Sequence, residues 1–383
     1  MNKYHSFLLL LIVCNNALIG CSDDAKYKAM ADKYNAVHAE HAMMSAKESK
    51  THSGEDKHHD QPLSEKVTDN HKIDTDEIGR QADDLPSSLN RTQSQLVSVN
   101  LYTEELVAEI MPDVTYQYWT YNGKVPGPFI RAREGDQVEI RLSHGKLGAE
   151  HQEHNAHTSA AHVVAGHSVH SIDLHAVAAP GGGASLMQVE QGEEKSFRFK
   201  ATHPGIYVYH CASPHVPSHI ANGMYGMILI EPMEGLAKVD REFYVMQGDF
   251  YTRGKYGDKG YQALSKEKLV AEQADYFLFN GRVNSLSGER ALKAKVGEKI
   301  RLFVGVGSHI AANFHIVGVV FSKLYQDGAL TNPPLKNVQT TIISPGSAVM
   351  IEFTIEVAGK YLLVDHSLSR AIDKGALAEL IIE

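Results

Sequence analysis

Cys211, His219 and Met224 lie close together near the middle of the chain, and a second group, His170, Asp173 and His175, precedes them. A thiolate, an imidazole and a weak thioether from one loop, completed by a histidine from an adjacent strand, form the ligand set of a blue-copper electron-transfer site. Cys211 is the sole cysteine of the chain's body, because Cys14 and Cys21 fall in its first segment. With no disulfide partner there, it is a buried filler, a nucleophile or a metal ligand. Strand parity separates these options, since successive side chains on a strand point to opposite faces. His210 and Cys211 therefore face opposite ways, as do His170 and His175, while Asp173 shares a face with His175. The simplest grouping puts His170, Cys211, His219 and Met224 around one copper inside the fold. It turns His175, His210 and Asp173 together towards a second metal, with the His210–Cys211 peptide joining the two.

Strands are needed to hold such an arrangement, and from about residue 95 the sequence reads as short alternating strands punctuated by Gly and Pro, the pattern of an all-β sandwich. The body then repeats itself. Tyr121-Asn-Gly returns as Phe279-Asn-Gly, Gly205-Ile-Tyr-Val-Tyr as Gly359-Lys-Tyr-Leu-Leu, and the run ending at Glu231 as the run ending at Glu383. Two tandem β-sandwiches follow, over 93–235 and 236–383. Aligning Gly205 with Gly359 puts Asp365 where Cys211 stands, so the second sandwich has lost its thiolate and its histidines are free for another site. A histidine-studded insertion over 144–168 leads into His170 and reads as a solvated loop.

Residues 21–92 are rich in Lys, Asp, Glu, Ser, His and Ala, which cannot bury enough apolar surface to offset ordering entropy, so they read as a disordered tether. Before them, Lys3, the apolar run Phe7–Val13 and Leu18-Ile-Gly-Cys21 read as an export signal, too short to span a bilayer. This ending resembles the bacterial lipoprotein box, which implies a signal peptide over 1–20 and lipidation of Cys21. The 383 residues carry a formal charge of −9, and that acidity argues against nucleic acid as a partner. The 22 histidines point to metal or proton chemistry.

The runs Y-H-C-A, H-I-A-N-G-M-Y-G, E-P-M-E-G-L, Q-G-D-F-Y-T and L-V-D-H-S resemble copper nitrite reductases, in particular the branch anchored as outer-membrane lipoproteins, over roughly residues 100 to 383. The resemblance implies two tandem Greek-key cupredoxin β-sandwiches. It implies type 1 copper on His170, Cys211, His219 and Met224, and type 2 copper on His175 and His210, completed by His366 of a neighbouring subunit. Asp173 and His315 match the family's catalytic aspartate and histidine. The family is a homotrimer that reduces nitrite to nitric oxide. The resemblance thus implies a membrane contact through lipid only, an outer-membrane location facing the periplasm or the cell surface, and a separate electron donor such as a c-type cytochrome or small cupredoxin. Two departures touch the active site: Val317 stands where the family has isoleucine, and the alanines around Ala178 differ from the usual A-A-T-G.

Three other functions compete. A two-domain multicopper oxidase needs His-x-His pairs around a trinuclear cluster, but Ala212 follows Cys211 and the sequence contains no His-x-His. An electron carrier with type 1 copper alone leaves Asp173, His315 and His366 without purpose. A cysteine hydrolase has no further residue in its support.

Overall fold

Side chains alternate between buried and partly exposed along most of Leu96–Met111 (β1), from Leu101 on, and along Val114–Tyr121 (β2), the period-two signature of strands with one face on a core. The computed structural model describes residues 78–145, 162–163 and 168–383. The expected signal peptide with Cys21, the tether as far as residue 77 and most of the 144–168 insertion lie outside the described residues.

The strands form four sheets. In the first half, β1 and β2 join Gln137–His144 (β4), His162–Val163 (β5) and Glu194–Lys200 (β7). The facing sheet orders Ile130–Arg133 (β3), Tyr225–Glu231 (β9), Gly205–His210 (β8) and Asp173–Leu174 (β6). The second half pairs Tyr276–Phe279 (β12), Arg241–Phe250 (β10), Lys299–Val306 (β14), Ala348–Thr354 (β18) and Lys323–Tyr325 (β16) in one sheet. Leu292–Ala294 (β13), Leu377–Ile382 (β20), Gly359–Asp365 (β19), Ala312–Ile316 (β15) and Thr340–Ile343 (β17) make the other, and Gly260–Gln262 (β11) crosses over to pair with β2. The chain passes repeatedly from one sheet to its partner, which gives each half the Greek-key cupredoxin-like sandwich expected.

The repeat extends to register. The β6–β8 pairing sets Asp173 opposite His210, and its counterpart β15–β19 sets His315 opposite Val364. The amide of His175 donates to Val208 O, and that of Val317 to Leu362 O. Asp173 and His315 thus occupy equivalent places in the two halves, as do His175 and Val317.

The halves are fused rather than merely tandem. Strand β9 is buried along its whole length: Ile228 and Ile230 face the first sandwich's core, while Met227 and Leu229 pack with Tyr244, Met246, Phe303 and Met350 of the second half. Fully burying one such aliphatic or aromatic side chain is worth roughly 1.5–3 kcal/mol, so a whole shared apolar layer outweighs any single polar contact across it. At its edge runs a buried chain of alternating charge. Arg131 bonds Glu231 at 2.6 Å and Glu242 at 2.8 Å, and Arg301 bonds Glu242 at 2.8 Å and Glu352.

One expectation needs correction. The sequence reads as a tether up to residue 92, but its last part, from residue 78, is anchored on the fold. Ile78 and Ala82 are buried, Ile78 O and the Arg80 amide both bond Val125, and Tyr244 N donates to Ala82 O. A composition average over this polar stretch hides the few apolar residues that anchor it.

Burial raises the Glu242 carboxyl, but the two guanidiniums outweigh burial and hold it below its usual range. Glu242→Gln should therefore cost about 3 kcal/mol at neutral pH in chemical denaturation, the scale for breaking a buried ion pair. The depressed carboxyl stabilises the fold above the unfolded pKa of about 4.3, and this contribution fades as pH falls through the lower folded value. The gap between variant and wild type should close only in acid.

Candidate metal centres

At the end of β8 the chain leaves the sheet, and Cys211 turns inward, fully buried. The loop that follows is closed by its own backbone: Cys211 N donates to Met224 O, and Met224 N to His219 O, both at 3.1 Å. His219 rides on a short helix, Val216–Ala221, and its Nδ1 lies 3.2 Å from Cys211 Sγ and 3.2 Å from His170 Nδ1. Ligands held about 2.0–2.3 Å from one ion in a tetrahedral array stand roughly 3.3–3.7 Å apart, so these atoms already have the spacing an ion imposes. Met224 is fully buried in the same apolar cluster as Cys211. The Trp119 ring meets His219 edge-on at 4.6 Å and His170 at 5.6 Å.

Burial alone would raise the Cys211 thiol, yet hydrogen bonds and charge from His170 and His219 carry it well below its ordinary value. Ser171 N adds a bond to the sulfur at 3.3 Å. The group is thus poised as a thiolate, the form that binds soft metals.

The second set opens outward. Facing Asp173 across the β6–β8 pair, His210 brings its Nε2 to 3.1 Å from His175 Nε2, and the three side chains form a group able to hold a metal. Partial burial of the His175 ring, together with the nearby His210, pushes its imidazole below the usual value and favours the neutral, ligating form.

Each imidazole has one nitrogen tied to the protein, and the tied nitrogen differs between the two sets. His175 Nδ1 is 3.1 Å from Gly346 O and His210 Nδ1 is 3.0 Å from Cys211 O, leaving both Nε2 atoms for a metal. In the buried set His170 Nε2 meets Glu105 Oε1 at 3.1 Å and His219 Nε2 meets Pro214 O at 3.2 Å, leaving Nδ1. Such outer partners fix tautomer and ring orientation. Gly346 stands at φ +70°, and a Cβ there would sit 3.1 Å from His175 Cε1. At Gly182, φ +54°, a Cβ would fall 1.7 Å from Asp173 Oδ1, so only glycine leaves that carboxylate its place.

His315 and His366 pair at the surface of the second sandwich, with ring centroids 5.2 Å apart. His315 Nδ1 lies 2.7 Å from Gln339 O, so its Nε2 is free to face outward. Among the described residues, neither joins the group formed by Asp173, His175 and His210. Within the chain the two groups are therefore separate.

Parity sorted the histidines as expected, although the strand it assumed is shorter. Only Asp173–Leu174 pair with β8, and His170 sits in an isolated bridge to Val189. Glu105, Gly182, Gly346 and Gln339 were not singled out by sequence. The glycine run 181–183 was visible, but its target was not, and nothing in the sequence sets Glu105 apart from Glu104 and Glu109 on the same strand. His144, expected in the solvated insertion, instead ends β4 and is buried with its ring 5.0 Å from His170.

Both sets suit copper: thiolate, thioether and two imidazoles inside, imidazoles with room for a further ligand outside. Cys211→Ser should abolish the intense visible band of the copper-loaded protein, while His210→Ala should keep the band and lose the second metal; absorption and metal analysis report the two separately.

The profile of a family described as multicopper oxidase matches residues 104–148. The copper-containing nitrite reductase of Neisseria gonorrhoeae is 43% identical over 310 residues, covering 80% of this chain and 74% of that protein. That of Pseudomonas chlororaphis is 33% identical over 285 residues, covering 70% and 73%. Among solved structures, the copper nitrite reductase from Nitrosomonas europaea superposes with a TM-score of 0.61 at 28% identity, over 75% of this chain and 94% of that one. A multicopper oxidase reaches 0.62 at 25%, over 81% and 97%.

Proposed function

The chain belongs to the copper-containing nitrite reductases, and from that premise we propose that its two metal sets divide the reaction between them. Cys211, His170, His219 and Met224 would hold type 1 copper; His175 and His210 would hold type 2 copper, completed by His366 of a neighbouring copy. The observation that carries this reading is the adjacency of His210 and Cys211, consecutive residues ligating outward and inward. Nitrite reduction consumes one electron and two protons and yields nitric oxide and water. Copper supplies the one-electron chemistry and an open position for the anion.

The protein's own groups handle the protons. Asp173, beside His210 and held in place by Gly182, is placed to give a proton to a nitrite oxygen. The tie from His315 Nδ1 to Gln339 O leaves Nε2 to deliver the second, through water. Val317 stands exposed two residues beyond His315, where a larger side chain would cover more of the pocket.

Copies are inferred to form a homotrimer with active sites at their interfaces. In support, exposed apolar residues flank His315 and His366: Val317, Leu368 and, on the paired strand β17, Ile342. Such surface is costly in a protein that stays alone. The Leu18-Ile-Gly-Cys21 box supports a lipid anchor and an outer-membrane location facing the periplasm or the cell surface. Among the described residues, no helix is long and apolar enough to cross a membrane. The electron would come from a separate c-type cytochrome or small cupredoxin.

Asp173→Asn and His315→Ala should each lower nitric oxide release from nitrite by about 10²–10⁴-fold with the visible band intact, the range for losing a general acid. Loss of the band in either variant would contradict these roles. Mixing tests the shared site: His175→Ala and His366→Ala chains, each inactive alone, should regain activity when unfolded and reassembled together. Continued inactivity of reassembled, copper-loaded mixtures would place the whole site within one chain.

A further inference from the structure

Glu105 is a carboxylate where a carboxylate is expensive. It lies on β1 opposite Trp119, 5% exposed, and among the described residues its ion-pair partner is His170. Removing an anion from water costs more than a single imidazole returns in stability, so such a group is weak evidence of a stabilising role. Its effect falls instead on the ring it holds. Glu105 Oε1 is 3.1 Å from His170 Nε2, while the opposite nitrogen, Nδ1, faces Cys211 and His219. His219, the other imidazole of the set, ties its Nε2 to the neutral carbonyl of Pro214. One ligand is therefore backed by a full charge and the other by a dipole.

We propose that Glu105 is a positioning residue that holds the Nε2 proton of His170 and, by drawing on it, makes His170 the stronger electron donor of the two imidazoles, which lowers the reduction potential of the type 1 copper. This rests on the reading of the buried set as the type 1 site. A ligand made more basic by a carboxylate behind it favours the more highly charged metal, so the oxidised copper gains more than the reduced one. The consequence for the reaction is directional. The electron is held less tightly at the buried site and is released more readily towards the site where nitrite binds.

The test is a redox titration of the visible band in copper-loaded, full-length protein. Glu105→Gln keeps an acceptor of the same reach and removes the charge. Its band should persist and its midpoint should rise by about 59 mV, a tenfold shift towards reduced copper. Glu104→Gln makes the same charge change on the neighbouring residue and should move the midpoint by less than half as much. An unchanged midpoint in Glu105→Gln overturns the inference, and so does an equal rise in Glu104→Gln, which would reduce the effect to the general field. Where Glu105→Gln does not take up copper, Glu105→Asp carries the test: with the charge drawn back by one methylene, the midpoint must rise by a smaller amount, and a wild-type value overturns the proposal. A wild-type protein without the visible band would sink the reading of the buried site, and this inference with it.

Discussion

Everything chemical in this chain depends on one property of an extended backbone: neighbouring side chains cannot point the same way. At the end of β8 that rule sends Cys211 into the apolar interior and His210 out to the surface. The interior demands a partner for a buried thiolate and finds it in two imidazoles whose ring nitrogens are already spaced for an ion. The surface lets an anion enter and leave. No loop could enforce this division as firmly, because the peptide that separates the two environments is also the shortest covalent link between them.

The second sandwich contributes to the outward-facing set, and it carries no cysteine where the first half has Cys211. In that place stands Asp365, buried and bonded by Gln247, Arg370 and the amides of Asn313 and Ser367. These bonds pin the backbone on either side of His366 and two residues before His315. The same half also lends the Gly346 carbonyl that orients His175. The apolar layer shared between the halves makes such reach possible, since a carbonyl from one sandwich can hold a histidine of the other only if the two do not move apart.

Much of this was legible in the sequence, and for identifiable reasons. Ligand types are few, their spacing is fixed by strand period, and the repeat betrays itself at Gly205 and Gly359. Parity needs only that His210 and Cys211 be neighbours, so it survived a strand β6 shorter than expected. What was not legible depends on through-space neighbours. Nothing in the order of residues says that Glu105 lies behind His170, that Gly182 lies against Asp173, or that Ile78 and Ala82 pin a segment whose composition suggests a tether.

The register equivalence of Asp173 and His315, and of His175 and Val317, gives the proposed assembly an unexpected geometry. In that assembly each half would carry its part of the proposed reaction on the same patch of one repeated sandwich. An interface that brings His175 and His210 of one copy against His315 and His366 of the next would therefore join two descendants of a single surface. Three chains closed in this way make a ring of six related units, with contacts alternating between those inside a chain and those between chains. A duplication that first produced two identical patches would have needed only divergence, the thiolate kept on one side and lost on the other, to turn a symmetric contact into the proposed site.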